Sequence, residues 1–269
     1  MIHKTACVDA GARLGRDVEV GPFAVIEAET EIGDGCVVGA HASVMRYTRL
    51  GAGCRVHAGA VLGDIPQDLA FADTESRVTI GERCVIREGV TVHRGTKPGS
   101  VTEIGDGCFL MGFSHCAHNV KLGPGVIVAN ATLLGGYVEI GERAFISGNC
   151  LIHQFCKIGR LAMLGGGSAV SKDVPPFCMI NPLTLNRVVG LNVVGMRRAG
   201  FSAEERRQIR SAFKMLYGTG RNVSDAVASM RQTFPSGPAL EFCDFVDASA
   251  RGICGMSPDS VAALSEDNE

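Results

Sequence analysis

The chain has no tryptophan, and all aromatic residues together make up 6% of its 269 positions, so large rings cannot organise its core. It has no marked excess of either charge. With 26 Lys and Arg against 28 Asp and Glu the formal net charge is −2, which argues against nucleic acid or an anionic membrane as the main partner. No stretch approaches the roughly 18 apolar residues of a membrane span, and the opening Met1-Ile2-His3-Lys4 lacks the charged-then-apolar order of a secretion signal. A cytoplasmic location without membrane insertion is therefore expected, with the 11 cysteines reduced. Cys-x-x-Cys spacing is also missing, so neither a zinc site nor a redox cofactor is expected. What remains is a chain that is 46% apolar and holds 35 glycines, and its core must be built from small and aliphatic side chains.

Those side chains are periodic. From Val8 an aliphatic residue returns at every sixth position through Leu14, Val20, Ile26 and Ile32 to Leu62. The pattern resumes at Ile80, Ile86 and Val92, and runs again from Ile104 to Val170 with only Cys116 not aliphatic. A period of six suits neither an α-helix nor a sandwich strand, but it suits short strands joined by corners in a parallel β-helix, three hexads to a triangular coil. Cys36, Cys54, Cys84, Cys108, Cys150 and Cys156 fall in the small inward slot of their hexads, where a thiol acts as a small apolar group. Two stretches, about 63–79 and 97–103, keep no hexad and read as loops leaving the coil. After Pro175-Pro176 the repeat ends. Ser202 to Glu205 has the form of a capping box ahead of Ile209, Phe213, Leu216 and Tyr217, and further helices are expected at 224–234 and 238–249, with an acidic tail at 257–269. The expected division is an all-β part, 1–190, and a small α-helical domain, 191–269. Seven basic residues against two acidic ones between Met196 and Arg221 mark either a solvated helix face or a dock for an acidic protein.

An 18-residue coil stacks residues 18 apart, about 4.8 Å from one another. His118, Gly136 and Gln154 form one such column. A histidine beside an approachable backbone N–H suits acyl transfer, with a base for the attacking hydroxyl or amine and a donor for the oxyanion. A solvated corner histidine stacked on a corner glycine would give the same spacing. A second column, Gly112, Asn130, Gly148 and Gly166, is nearly free of large side chains and suits either a groove for an extended chain or purely conformational needs. His93, His115 and His153 lie close in sequence to the first column or the loops.

Several segments carry a resemblance that the bare repeat does not: Gln67-Asp68-Leu69, Val92-His93-Arg94-Gly95-Thr96, His115-Cys116-Ala117-His118, His153-Gln154-Phe155-Cys156 and Asp173-Val174-Pro175-Pro176. Over nearly its whole length the chain resembles the UDP-N-acetylglucosamine O-acyltransferases that begin lipid A synthesis. The resemblance implies a left-handed β-helix, a homotrimer, and transfer of a 3-hydroxyacyl chain from acyl carrier protein to a UDP-amino-sugar without a cofactor. It implies that His118 is the general base and Gly136 the oxyanion amide. Gln67, Asp68, His93, His115, His153 and Gln154 would line a cleft between subunits, Asn192 and Arg198 would contact the nucleotide, and Gly166 would gauge acyl length.

Three departures bear on the acceptor. The residue after the base, usually Asp in that family, is Asn119, which stabilises an imidazolium less well. Tyr137 stands where a histidine usually lies near the sugar. Residues 181–189 carry an apparent insertion, with Val194 where an acidic contact is common. An amine asks less of its base than a hydroxyl does, so N-acylation of a 3-amino UDP-sugar is the alternative reading. Three other classes fit less well. A zinc carbonic anhydrase needs a different spacing from that of His115 and His118, a sibling N-acyltransferase has an added N-terminal domain, and a non-catalytic scaffold has no use for the His118 column.

Overall fold

The computed structural model describes residues 1–182, 185–218, 220–258 and 260. From Cys7–Val8 to Ala169–Val170 the chain alternates very short strands with tight corners. Each strand pairs in parallel with the third one along, as Arg13 and Leu14 do with Glu31 and Ile32, so three strands and three corners make one coil. Among the described residues the strands form three sheets of nine, eight and eleven, the sides of a triangular prism.

The second residue of nearly every strand points inward. Ile26, Leu50, Ile86, Leu110, Leu134, Ile146 and Leu164 are each less than 2% exposed, which confirms the hexad reading. The cysteine slots are equally closed. In four successive coils the thiol donates to a carbonyl one coil on: Cys36 to Gly51 (3.1 Å), Cys54 to Gly81 (3.0 Å), Cys84 to Gly105 (3.2 Å) and Cys108 to Gly123 (3.2 Å). Cysteine thus fills a methyl-sized space while satisfying an oxygen.

Both excursions are shorter than the sequence suggests. Strand Val61–Asp64 runs past Gly63 and strand Arg77–Ile80 starts before 79, so 65–76 is the stretch that leaves the coil. Likewise strand Val101–Ile104 absorbs the end of the second excursion. In both cases an extra inward residue extends the strand, because Val78 and Thr102 pair and both are 0% exposed.

Past the last regular coil the sheet does not stop. Strand Cys178–Ile180 pairs antiparallel with Arg187–Leu191, which in turn pairs parallel with Gly255–Met256 from the far end of the described chain. Between them come four helices, α1 (Val193–Arg198), α2 (Ala203–Tyr217), α3 (Val223–Thr233) and α4 (Leu240–Asp247). The capping box forms, with Ser202 and Glu205 each accepting the other's backbone N–H. Arg160 of the coil lies over the rings of Phe177 and Phe201 and pairs with Glu241 of α4, which fastens the helices to the last coils. Most of the tail anticipated at 257–269 falls outside the described residues.

The outward residues differ between faces. On the eight-stranded sheet they are Arg13, Glu31, Arg49, Thr79, Glu103, Lys121, Glu139 and Lys157, an alternation that puts unlike charges on neighbouring rungs. On the nine-stranded sheet Leu133 and Leu151 are 45% and 53% exposed, and the eleven-stranded sheet presents Phe109, Ile127, Phe145 and Met163. One face is charged along its length, and the other two carry apolar rows in their later coils. Removing one inward rung tests the stacking. Ile86→Ala should cost about 2–5 kcal/mol in denaturant unfolding, since the neighbouring coils cannot close over the cavity.

Candidate active site

His115 opens a strand of the nine-stranded sheet with its side chain outward, and three residues later the corner carries His118. Coil stacking sets what lies above it. The N–H of Tyr137 donates to the His118 carbonyl (3.0 Å) and that of Phe155 to the Gly136 carbonyl (2.9 Å), so positions 118, 136 and 154 form a column. The imidazole of His118 is half-buried and lies across Gly136 so closely that a Cβ at 136 would overlap the ring. Gly136 has no positive φ, so it is glycine here because of this approach and not because of its backbone. Gly135 and Tyr137 both give their N–H groups to neighbouring coils, whereas the N–H of Gly136 between them has no partner among the described residues.

Aromatic and polar groups frame the imidazole. Tyr137 meets it edge to face at 5.2 Å and stacks on Phe155 at 5.0 Å. On the next inward side His93 and His115 contact at 4.9 Å, and His115 Nδ1 is 2.7 Å from Thr91 Oγ1. Burial and the neighbouring imidazoles of His93 and His118 push His115 down to about 4. His93, 5% exposed and with Nδ1 unpartnered, is also lowered by burial. Both rings are neutral near pH 7 and offer hydrogen bonds without positive charge.

The other expected residues are distributed more widely. His153 and Gln154 are exposed and border a groove of about 480 Å³ that runs along the nine-stranded sheet over Leu133, Leu151 and Ala169. This apolar groove, and not the glycine column, adjoins Ala117 and Gly135 beside His118. Gly112, Asn130, Gly148 and Gly166 occupy a different corner, across the width of that sheet. Gly166 is exposed without a positive φ, and a Cβ there would meet only ordinary contacts, the nearest at 3.5 Å. Gln67 is exposed on the first excursion, where the Asp68 carboxylate accepts the Ala70 N–H at 2.9 Å. Asn192 is 9% exposed and both ends of its amide are engaged, capping α1 through Gly195 N–H (2.9 Å) and donating to the Leu161 carbonyl (2.9 Å). With Arg198 it borders an apolar cavity of about 670 Å³ on the eleven-stranded sheet. Within one protomer, no hydrogen bond, ion pair or ring contact among the described residues joins Gln67, Asp68, Asn192 or Arg198 to His118.

Thr96 and Phe155, which lie in the segments that carry the resemblance, and Leu133 and Leu151 were assigned no role from the sequence. The last three were available from the same register, since Phe155 follows Asn119 and Tyr137 in column and the two leucines follow His115. Thr96 sits inside an excursion, where register arithmetic has no purchase.

A prism of six-residue rungs with a corner imidazole against a glycine amide is the architecture of a hexapeptide-repeat acyltransferase. The family described as UDP N-acetylglucosamine O-acyltransferase, domain 2, matches residues 173–254, and the bacterial transferase hexapeptide (six repeats) family matches 11–46 and 29–64. An acyl-(acyl-carrier-protein):UDP-N-acetylglucosamine O-acyltransferase of Halorhodospira halophila is 41% identical over 254 residues, 94% of this chain and 98% of the relative. Among solved structures, the UDP-N-acetylglucosamine acyltransferase of Bacteroides fragilis superposes with a TM-score of 0.91 at 39% identity, covering 94% of this chain and 99% of that one. The Campylobacter jejuni enzyme gives 0.89 at 35%, covering 96% and 100%. The chain belongs to the acyl-(acyl-carrier-protein):UDP-N-acetylglucosamine O-acyltransferase family, and its fold is the left-handed parallel β-helix with C-terminal helices.

The depressed His115 has a thermodynamic consequence. In the unfolded chain it binds a proton below about 6.5 and in the folded one only below about 4, so acid favours unfolding and stability is lost as pH falls through that window. The thermal midpoint should fall between those two values, and His115→Gln should flatten that slope.

Proposed function

We infer that the protein transfers a 3-hydroxyacyl group from acyl carrier protein to the 3-position of UDP-N-acetylglucosamine, the first step of lipid A biosynthesis, and that His118 and Gly136 perform it. The observation that carries this reading is the imidazole lying against a glycine whose N–H has no partner among the described residues. Nε2 of His118 takes the proton of the acceptor hydroxyl as its oxygen attacks the thioester carbonyl, and the Gly136 N–H holds the oxyanion. Collapse expels the thiolate of the carrier, which recovers the proton from His118. His93, His115 and Gln154 orient sugar and acyl chain as neutral partners. The acyl chain lies along the groove over Leu133 and Leu151, and Gly166 gauges its length at a position where a larger side chain is sterically allowed.

The working unit is a homotrimer. Gln67 and Asp68, Asn192 and Arg198, and Gly166 all stand away from His118 in one protomer, so a substrate touching all of them needs walls from neighbouring copies. The apolar rows on two faces of each prism supply the contact, while the charged face stays in water. Residues 1–190 act as the rigid scaffold. Residues 191–269, whose α2 surface carries Arg206, Arg207 and Arg210, receive the acidic carrier in the cytoplasm.

Asn119 beside the base favours a second reading, transfer to a 3-amino UDP-sugar. Two experiments separate the possibilities. His118→Ala should lower turnover by about 10²–10⁴-fold while the trimer stays folded; wild-type turnover in that variant would remove the base assignment. With hydroxyl and amino acceptors offered side by side, a faster reaction at the hydroxyl sugar excludes the amine reading. Asn119→Asp should then raise kcat on the hydroxyl acceptor by up to about tenfold, because a carboxylate stabilises the imidazolium.

A further inference from the structure

The second excursion leaves the coil between strands Thr91–His93 and Val101–Ile104, and residues from both of its ends close on Asn119. On the entry side Thr96 gives both its backbone N–H and its hydroxyl to Asn119 Oδ1, each at 3.1 Å. On the exit side the buried Oγ1 of Thr102 accepts the Asn119 N–H at 2.8 Å. Asn119 itself has φ 59° and is 7% exposed.

This clamp settles a question that an asparagine beside a histidine raises. A backbone N–H can only donate, so the amide atom facing Thr96 N is the oxygen. His118 Nδ1 lies 3.2 Å from that same oxygen and must therefore carry its proton, which leaves the lone pair on Nε2. With the Thr96 hydroxyl hydrogen directed at Asn119, the Tyr137 hydroxyl 2.9 Å away is the donor to Thr96 Oγ1. An unheld amide is free to flip, present its NH₂ to Nδ1 and move the imidazole proton to Nε2, the tautomer that cannot act as base. A carboxylate has no such wrong face.

We propose that Thr96 is a positioning residue for acyl transfer, which through Asn119 fixes the tautomer and tilt of His118, and that holding Asn119 is the role of the second excursion. The inference rests on His118 being the base. Thr96→Val keeps the shape and the backbone N–H but loses the hydroxyl. In the full-length enzyme assayed with acyl carrier protein and UDP-N-acetylglucosamine, kcat should fall about tenfold with both KM values within about twofold, and Thr96→Ser should restore most of it. In an Asn119→Ala background Thr96→Val should add less than about twofold, since its route to the base is already cut. Unchanged kcat in Thr96→Val, or the same fractional loss with and without Asn119, overturns the proposal. Should Thr96→Val fail to fold, Thr96→Ala is carried through the same cycle. His118→Ala separates the two levels: an active variant removes the base reading itself, whereas an inactive one beside an unaffected Thr96→Val removes only the role of Thr96.

Discussion

Each coil hydrogen-bonds to the next through its backbone and packs on it through one inward aliphatic residue per face, and everything functional depends on that register. Parallel strands one rung apart leave no freedom to slide, because a shift of one residue would turn Leu134 or Ile146 out to water and bring His115 or Leu133 in. The interior holds no large ring in the regular coils, which is why a sequence so poor in aromatics is sufficient. Its rings lie outside the coil interior: at corners, as with Tyr137 on Phe155, on the outward face of the eleven-stranded sheet, as with Phe109 and Phe145, and where the helices join, as with Arg160 beside Phe177 and Phe201.

On that rigid column the protein brings together groups that a flexible loop would hold poorly. His118 lies on a corner, Gly136 one coil above it, and His93 and His115 on the flank. Their electrostatics are complementary. Burial favours the neutral forms of His93 and His115, so neither presents a positive charge to His118. The irregular element beside it, the second excursion, is tied to Asn119 by Thr96 and Thr102.

Much of this was legible by counting. The hexads gave the inward residues, the coil length gave the stacking of His118 on Gly136, and the capping box gave the start of α2. Counting failed where backbone pairing outran it. Val78 and Thr102 extend strands into segments that lack the hexad, and Gly255–Met256 returns across the chain to join a sheet begun far earlier. It was silent on how side chains are used: Asn192, expected from the resemblance to contact a nucleotide, caps α1.

The sequence by itself determined the prism, its rise and the identity of the residues stacked along each edge, because a strict period translates directly into neighbours in space. Tertiary structure alone decided which nitrogen of His118 is free, which groove adjoins it, and how Asn119 is held. Those depend on contacts between segments that leave the period, and no spacing rule connects Thr96 with Asn119 or Tyr137 until the chain has folded around them.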